Sequence, residues 1–262
     1  MSEALEVRNL SIAFGGVVAV ENVSFDASHR EILSIIGPNG AGKTTLFNMV
    51  SGLYRPRGGE VLLRGETITG LPPFRRARLG MARTFQNLQI FFGQTVLENA
   101  MLGHCRLEKT TFLADLLRLP SVVRQNARTQ EKAYAMLERV GLAKLADTVA
   151  GNLSYGSLKR LEIARALASE PEVLLLDEPA AGCNGVETQE IEQIIREIAG
   201  EQIAIVLIEH DMKMVMRLSH KVLVLNQGRL LAHGTPAEVR ENPEVITAYL
   251  GSHAQEVEHV KG

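Results

Sequence analysis

The residues best suited to chemistry are Gly37-Pro38-Asn39-Gly40-Ala41-Gly42-Lys43-Thr44. This G-x-x-x-x-G-K-[ST] spacing lets successive backbone N–H groups turn inward around phosphate oxygens. Lys43 is long enough to reach a β- or γ-phosphate, and the Thr44 hydroxyl suits Mg²⁺. A dinucleotide-binding turn would need G-x-G-x-x-G and would leave Lys43 without a task. A second pair of groups, Asp177-Glu178, directly follows the apolar run Val173-Leu174-Leu175-Leu176. Behind a phosphate loop, an aspartate in this place holds Mg²⁺. The adjacent Glu178 is then placed to orient or deprotonate an attacking water. The nucleotide implied is ATP, because no N-K-x-D stretch selective for guanine is present.

These groups need strands and helices to hold them. Residues 5–14 and 17–25 alternate partially between apolar and polar, with Gly15-Gly16 as the turn, so they read as strands. Residues 31–36 form a short apolar run rich in β-branched side chains, and a helix is expected over 42–53. The phosphate loop thus lies between a strand and a helix whose positive end faces the anion. Another strand is expected at 59–64. Residues 88–168 read as mostly helical. Ala133, Met136, Leu137 and Val140 share one helical face and stop at Gly141, and Leu158, Leu161, Ala164 and Leu167 share another. Residues 106–125 are ambiguous, with a helix-like piece at 112–119 stopped by Pro120. Continuous apolar runs at 173–176 and 203–208 suit strands buried on both faces of a parallel sheet, with a helix over 186–199 between them. Residues 221–225 and 229–231 read as a terminal hairpin, and short helices are expected after Pro236 and Pro243.

Composition narrows the function classes. The chain has 262 residues, 45% hydrophobic and 22% charged, with a formal net charge of −2. That balance is typical of a globular domain and gives no electrostatic footprint for nucleic acid. The basic cluster Arg75, Arg76 and Arg78 reads as a solvated helix face. Cys105 and Cys183 form no CxxC pair, so neither a metal site nor a disulfide framework is supported. No apolar run approaches the roughly 20 residues of a membrane span, and the N-terminus does not read as a signal peptide. A membrane role would therefore come through a partner.

Asn152-Leu153-Ser154-Tyr155-Gly156, followed by Lys159-Arg160-Leu161-Glu162-Ile163-Ala164-Arg165-Ala166, resembles the signature motif of ABC-type ATPases. Gln86, after Arg83-Thr84-Phe85, resembles that family's Q-loop glutamine, and His210 its switch histidine. Asp177-Glu178-Pro179-Ala180-Ala181-Gly182 resembles its acidic strand and D-loop, and Phe14 its adenine-stacking aromatic. Read singly, Gln86 would be a surface residue, His210 structural and Phe14 a core aromatic. Together they occur in the family's order over about residues 4–250.

The resemblance implies an α/β fold: a P-loop NTPase core with a mostly parallel sheet, an N-terminal antiparallel β subdomain and an inserted α-helical subdomain. The core would span about 1–86 and 169–251, the helical part 87–168 and a polar tail 252–262. It also implies that Asn39, Gly40, Ala41, Gly42, Lys43, Thr44 and Thr45 line the phosphates, and that Thr44, Gln86 and Asp177 surround Mg²⁺. Glu178, His210, Gln86 and Lys43 would carry hydrolysis, and Ser154 and Gly156 would meet the γ-phosphate of a second copy. The implied partners are a second ATPase subunit, a membrane permease and, indirectly, a solute-binding protein, with the chain peripheral on the cytoplasmic face.

Thr84-Phe85-Gln86-Asn87-Leu88, Thr95-Val96-Leu97-Glu98-Asn99 and Glu209-His210-Asp211-Met212 look like the ATPase subunits of branched-chain amino-acid importers. Ser157 stands where that family usually has Gln, and Cys183-Asn184-Gly185 where it usually has Leu-Asn-Pro. These departures bear on dimer closure, since Gly185 lacks the fixed φ of proline. The alternatives are a soluble ABC-type ATPase acting on DNA or ribosomes, an exporter ATPase, and a small-molecule kinase with a P-loop.

Overall fold

The computed structural model describes residues 3–104 and 120–249. Two sheets organise them. The first is antiparallel, in the order β2-β1-β4-β5, built from β1 (Glu3–Phe14), β2 (Val17–Ser28), β4 (Gly58–Leu63) and the short β5 (Glu66–Thr67). The second has the order β10-β9-β3-β8-β7-β6. Its strands are β3 (Ile32–Ile36), β6 (Met81–Arg83), β7 (Val173–Asp177), β8 (Ala204–Ile208), β9 (Lys221–Asn226) and β10 (Arg229–Gly234). All its neighbours pair in parallel except β9 and β10, which form the expected hairpin.

The continuous apolar runs behave as expected of doubly covered strands. Every residue of β3, β7 and β8 is buried. Alternate side chains enter different cores, because successive residues of a strand point to opposite faces. Leu174, Leu176, Ile205 and Leu207 pack into the core shared with the helices of the middle region. Leu175, Leu33, Ile35, Val206 and Ile208 pack toward α1 (Lys43–Val50) and the antiparallel sheet. Each fully buried Leu or Ile contributes about 1.5–3 kcal/mol relative to exposure.

The middle of the chain contributes helices α3 (Val96–His104), α4 (Pro120–Arg139) and α5 (Tyr155–Leu167). Among the described residues it contains no strand, only an isolated bridge between Thr95 and Val149. The faces read from periodicity pack inward: Ala133 and Leu137 on α4 and Val140 just past its end are buried, with Met136 partly buried beside them, and Leu158, Leu161, Ala164 and Leu167 are buried on α5. The apolar piece at 112–119, Cys105 and the tail 252–262 lie outside the described residues. Pro120 is the first residue of α4, a place the first helical turn tolerates because its N–H would be unsatisfied anyway. Beyond β7 come α6 (Gly185–Ala199), α7 (Met212–Leu218) and α8 (Pro236–Glu241), with residues 243–249 also helical.

The basic cluster required correction. Arg75, Arg76 and Arg78 lie on the short helix α2 (Pro73–Arg78), but Arg76 is almost fully buried. Its guanidinium donates to the carbonyls of Met49, Val50, Thr69 and Leu71. Met49 and Val50 end α1, so this cation donates to carbonyls of its last turn and faces the negative end of the helix dipole. Burial pulls its pKa down to about 10. This capping accompanies an α1 shorter than the 42–53 expected.

Candidate active site

The loop at residues 37–42 leaves the C-terminal end of β3 and runs into α1. Gly37 is fixed by close approach: a Cβ there would lie 2.2 Å from the Leu225 carbonyl oxygen, and its φ is +152°. The Lys43 ammonium folds back onto the carbonyls of Gly37 at 2.7 Å and Pro38 at 3.0 Å. Burial lowers its pKa, while the carboxylates of Glu178 and Asp177 oppose that shift. The Tyr249 hydroxyl engages the Gly37 backbone, and burial pushes that phenol up to about 12. The end of the described chain therefore supports the start of the phosphate loop.

A cavity of about 590 Å³ opens beside the loop. Asn39, Gly40, Ala41, Gly42, Lys43, Thr44 and Thr45 line it together with Gln86 and Glu178, and Val17, Val18 and Ala19 form an apolar wall. Phe14 does not line it. It sits 47% exposed on the first hairpin, with its ring edge-on to Tyr54 at 5.3 Å. Ser154 and Gly156 are also absent from the lining.

Asp177 and Glu178 end β7 with different surroundings. Asp177 is buried, and its Oδ2 accepts from Arg83 at 2.8 Å. Its backbone N–H donates to the Thr84 hydroxyl at 3.2 Å. Burial raises its pKa, and the Arg83 pair opposes the rise. Glu178 adopts a φ of +49°, an uncommon conformation for a residue with a side chain, and it turns toward the cavity. The Gln86 amide donates to Glu178 Oε2 at 3.1 Å, while His210 Nδ1 stands 4.0 Å from the same oxygen. Thr44, Gln86 and Asp177 each carry a side-chain oxygen of the kind a hard cation such as Mg²⁺ takes. Among the described residues no cluster of three His, Cys, Asp or Glu side chains could hold a metal ion.

Several positioning groups escape sequence reading. Arg83 donates to Asn48 at 2.8 Å and Ser51 at 2.7 Å as well as to Asp177, and lies over the rings of Phe47 and Phe85. It therefore joins α1, β6 and β7 behind the cavity. The buried Glu209 carboxylate accepts from the backbone N–H groups of Ala180 and His210, both at 3.2 Å. It ties the turn after Glu178 to the turn bearing His210, and burial raises its pKa. From α5, Lys159 donates to the Gln86 carbonyl at 3.2 Å and Glu162 accepts from the Phe85 N–H at 3.4 Å.

The signature residues lie elsewhere. Ser154 is exposed at the N-terminus of α5, where its hydroxyl accepts from the Ser157 N–H. Ser157 Oγ in turn accepts from Arg160 at 3.1 Å, so the shorter side chain found at this position serves a local network.

Comparison with known proteins follows this geometry. Residues 20–181 match the family described as ABC transporter, and residues 229–255 match the one described as branched-chain amino acid ATP-binding cassette transporter. The high-affinity branched-chain amino acid transport ATP-binding protein LivG of Salmonella typhimurium is 48% identical, covering 94% of this chain and 97% of that one. BraF of Pseudomonas aeruginosa, of the same description, is 46% identical over the same shares. A lipopolysaccharide export ATP-binding protein, LptB of Acidithiobacillus ferridurans, is 34% identical over 97% of this chain and 100% of its own. A solved ATP-binding cassette of an ABC transporter in its ADP conformation has a TM-score of 0.84 at 31% identity, covering 96% of this chain and 100% of that one.

Proposed function

Because the chain belongs to the ABC transporter family, we propose that it is the ATP-hydrolysing subunit of an importer for branched-chain or related amino acids. It works as a pair of copies under a membrane permease, on the cytoplasmic face. The observation that carries this reading is a division of labour. The cavity gathers the phosphate loop, Gln86 and Glu178, while Ser154 and Gly156 lie outside it.

In this reading the ATP phosphates lie along residues 39–45 with the Lys43 ammonium turned from the loop carbonyls onto the β- and γ-phosphates. Mg²⁺, held near Thr44, Gln86 and Asp177, supplies charge neutralisation of those phosphates when bound. Glu178 accepts a proton from the attacking water, and the Gln86 amide fixes the carboxylate that does so. His210, supported through its backbone by Glu209, meets the γ-phosphate from the other side. Ser154 and the Gly156 N–H of a second copy complete the charge stabilisation, as a donor supplied in trans does in related phosphoryl transfers. The half-exposed Phe14 stacks on the adenine.

The permease docks in a second groove of about 450 Å³ between the sheet and the middle helices, lined by Phe74, Arg83, Phe85, Leu102, Glu162 and Arg165. Phe85 and Arg83 connect this groove to Gln86 and Asp177, so closure and opening at ATP can be felt there. No described helix is long and apolar enough to cross a membrane, which fits a peripheral subunit. The match at residues 229–255 and the higher identity to LivG and BraF than to LptB favour the importer reading.

The test is reconstitution of the chain with its co-purifying permease and solute-binding protein. Leucine uptake that needs ATP and is lost in Glu178→Gln is expected. ATP-driven uptake of an unrelated solute, with no effect of leucine, would overturn the importer assignment.

A further inference from the structure

Glu187 is the third residue of α6, within the turn that follows Cys183-Asn184-Gly185. Its Oε2 accepts from the Asn184 N–H at 3.2 Å and so closes a capping box on α6. Its Oε1 does something else. It reaches across 31 residues to the N-terminus of α5, accepting from the Gly156 N–H at 3.2 Å, and it lies 3.3 Å from the Ser154 hydroxyl. The approach is so close that a Cβ at Gly156 would sit 2.3 Å from the Glu187 carboxyl carbon. The glycine thus leaves room for this carboxylate.

We propose that Glu187 is an internal stand-in for the γ-phosphate, an autoinhibitory contact that fills the signature's phosphate seat in the lone chain and must leave it before a second copy's ATP can enter. This rests on the trans-site reading above. Oε1 accepts from the Gly156 N–H and stands within reach of the Ser154 hydroxyl, whose one hydrogen it shares with Ser157 Oγ at 3.1 Å, so it sits at both groups that reading assigns to the γ-phosphate. A carboxylate and a phosphate cannot share that seat, because like charges at the same donors repel. Release need not unfold α6, since Asn184 Oδ1 still accepts from the Val186 and Glu187 N–H groups when the carboxylate leaves.

Two substitutions separate this role from capping. Glu187→Gln keeps a residue competent for the capping box but removes the charge. Glu187→Asp keeps the charge at the helix N-terminus but withdraws it by one methylene. Both are placed in the full chain carrying Glu178→Gln, and ATP–Mg²⁺ is titrated while dimer is followed by sedimentation velocity. Each should lower the ATP concentration for half-maximal dimer by about ten-fold, equivalent to about 1.4 kcal/mol. Half-points unchanged or raised, in whichever variant retains the parent's melting temperature, would overturn the proposal and leave Glu187 a capping residue. If neither parent nor variants dimerise with ATP, the trans-site reading itself falls and takes this inference with it.

Discussion

The cavity at the end of the parallel sheet and the N-terminus of α5 are both built to meet phosphate, yet they are held in opposite ways. Behind the cavity, Arg83 joins Asp177 to Asn48 and Ser51, Thr84 anchors the Asp177 backbone, and Glu209 joins two turns. These ties are drawn from several elements, and the Asp177 and Glu209 side chains they hold are buried. At the signature, Ser154 is exposed and its tie to α6 is to a half-buried carboxylate. One region is preorganised by the chain itself. The other, in the reading proposed above, is a surface kept occupied until a second copy replaces the occupant. Preorganisation of this kind suits electrostatic catalysis, whereas a replaceable contact suits a switch.

The contrast can be broken most severely at Glu178. Glu178→Gln should lower kcat by about 10²–10⁴-fold with ATP binding retained, measured as phosphate release against nucleotide binding. Arg83→Ala should destabilise the fold by about 3–5 kcal/mol in urea unfolding, because it leaves a buried carboxylate unpaired. Asp177→Asn added to Arg83→Ala should recover part of that loss. At the signature the pattern should reverse. Ser154→Ala should cost only about 1 kcal/mol of stability, the value of one helix cap, while removing ATP-dependent dimer formation. The smallest effect is expected at Phe14, where replacement by Ala should raise the KM for ATP about five- to ten-fold, the loss of roughly 1 kcal/mol of aromatic stacking, with kcat unchanged.

What could be read in the sequence was local. The phosphate loop, Asp177 and Glu178 lie within short stretches whose spacing carries their chemistry. The central strands are legible because burial on both faces makes them uniformly apolar, as in Ile203-Ala204-Ile205-Val206-Leu207-Ile208. The supporting groups were not legible because their partners are remote. Arg83 meets Asp177 across 94 residues, and Lys159 meets the Gln86 carbonyl across 73. Glu209, beside a histidine already singled out, reads as an ordinary acid until Ala180 is seen 29 residues away. Arg76 was misread for the same reason: a charge run suggests solvent unless the carbonyls ending α1 are known to face it. The three-residue β6 is too short to show a period, and its place at the sheet edge comes from pairing with β7.

The central claim is that each ATP is completed by two chains, and mixing two crippled variants tests it most directly. Lys43→Ala damages only the phosphate-loop side of the site, and Ser154→Ala only the signature side. Each alone should hydrolyse ATP at background rates. A mixture should recover activity, because a mixed pair contains one site built from an intact phosphate loop and an intact signature. Because a mixed pair holds one complete site of two, the recovered rate should reach at most about half of wild type. A mixture no more active than the sum of its separate components would contradict the claim.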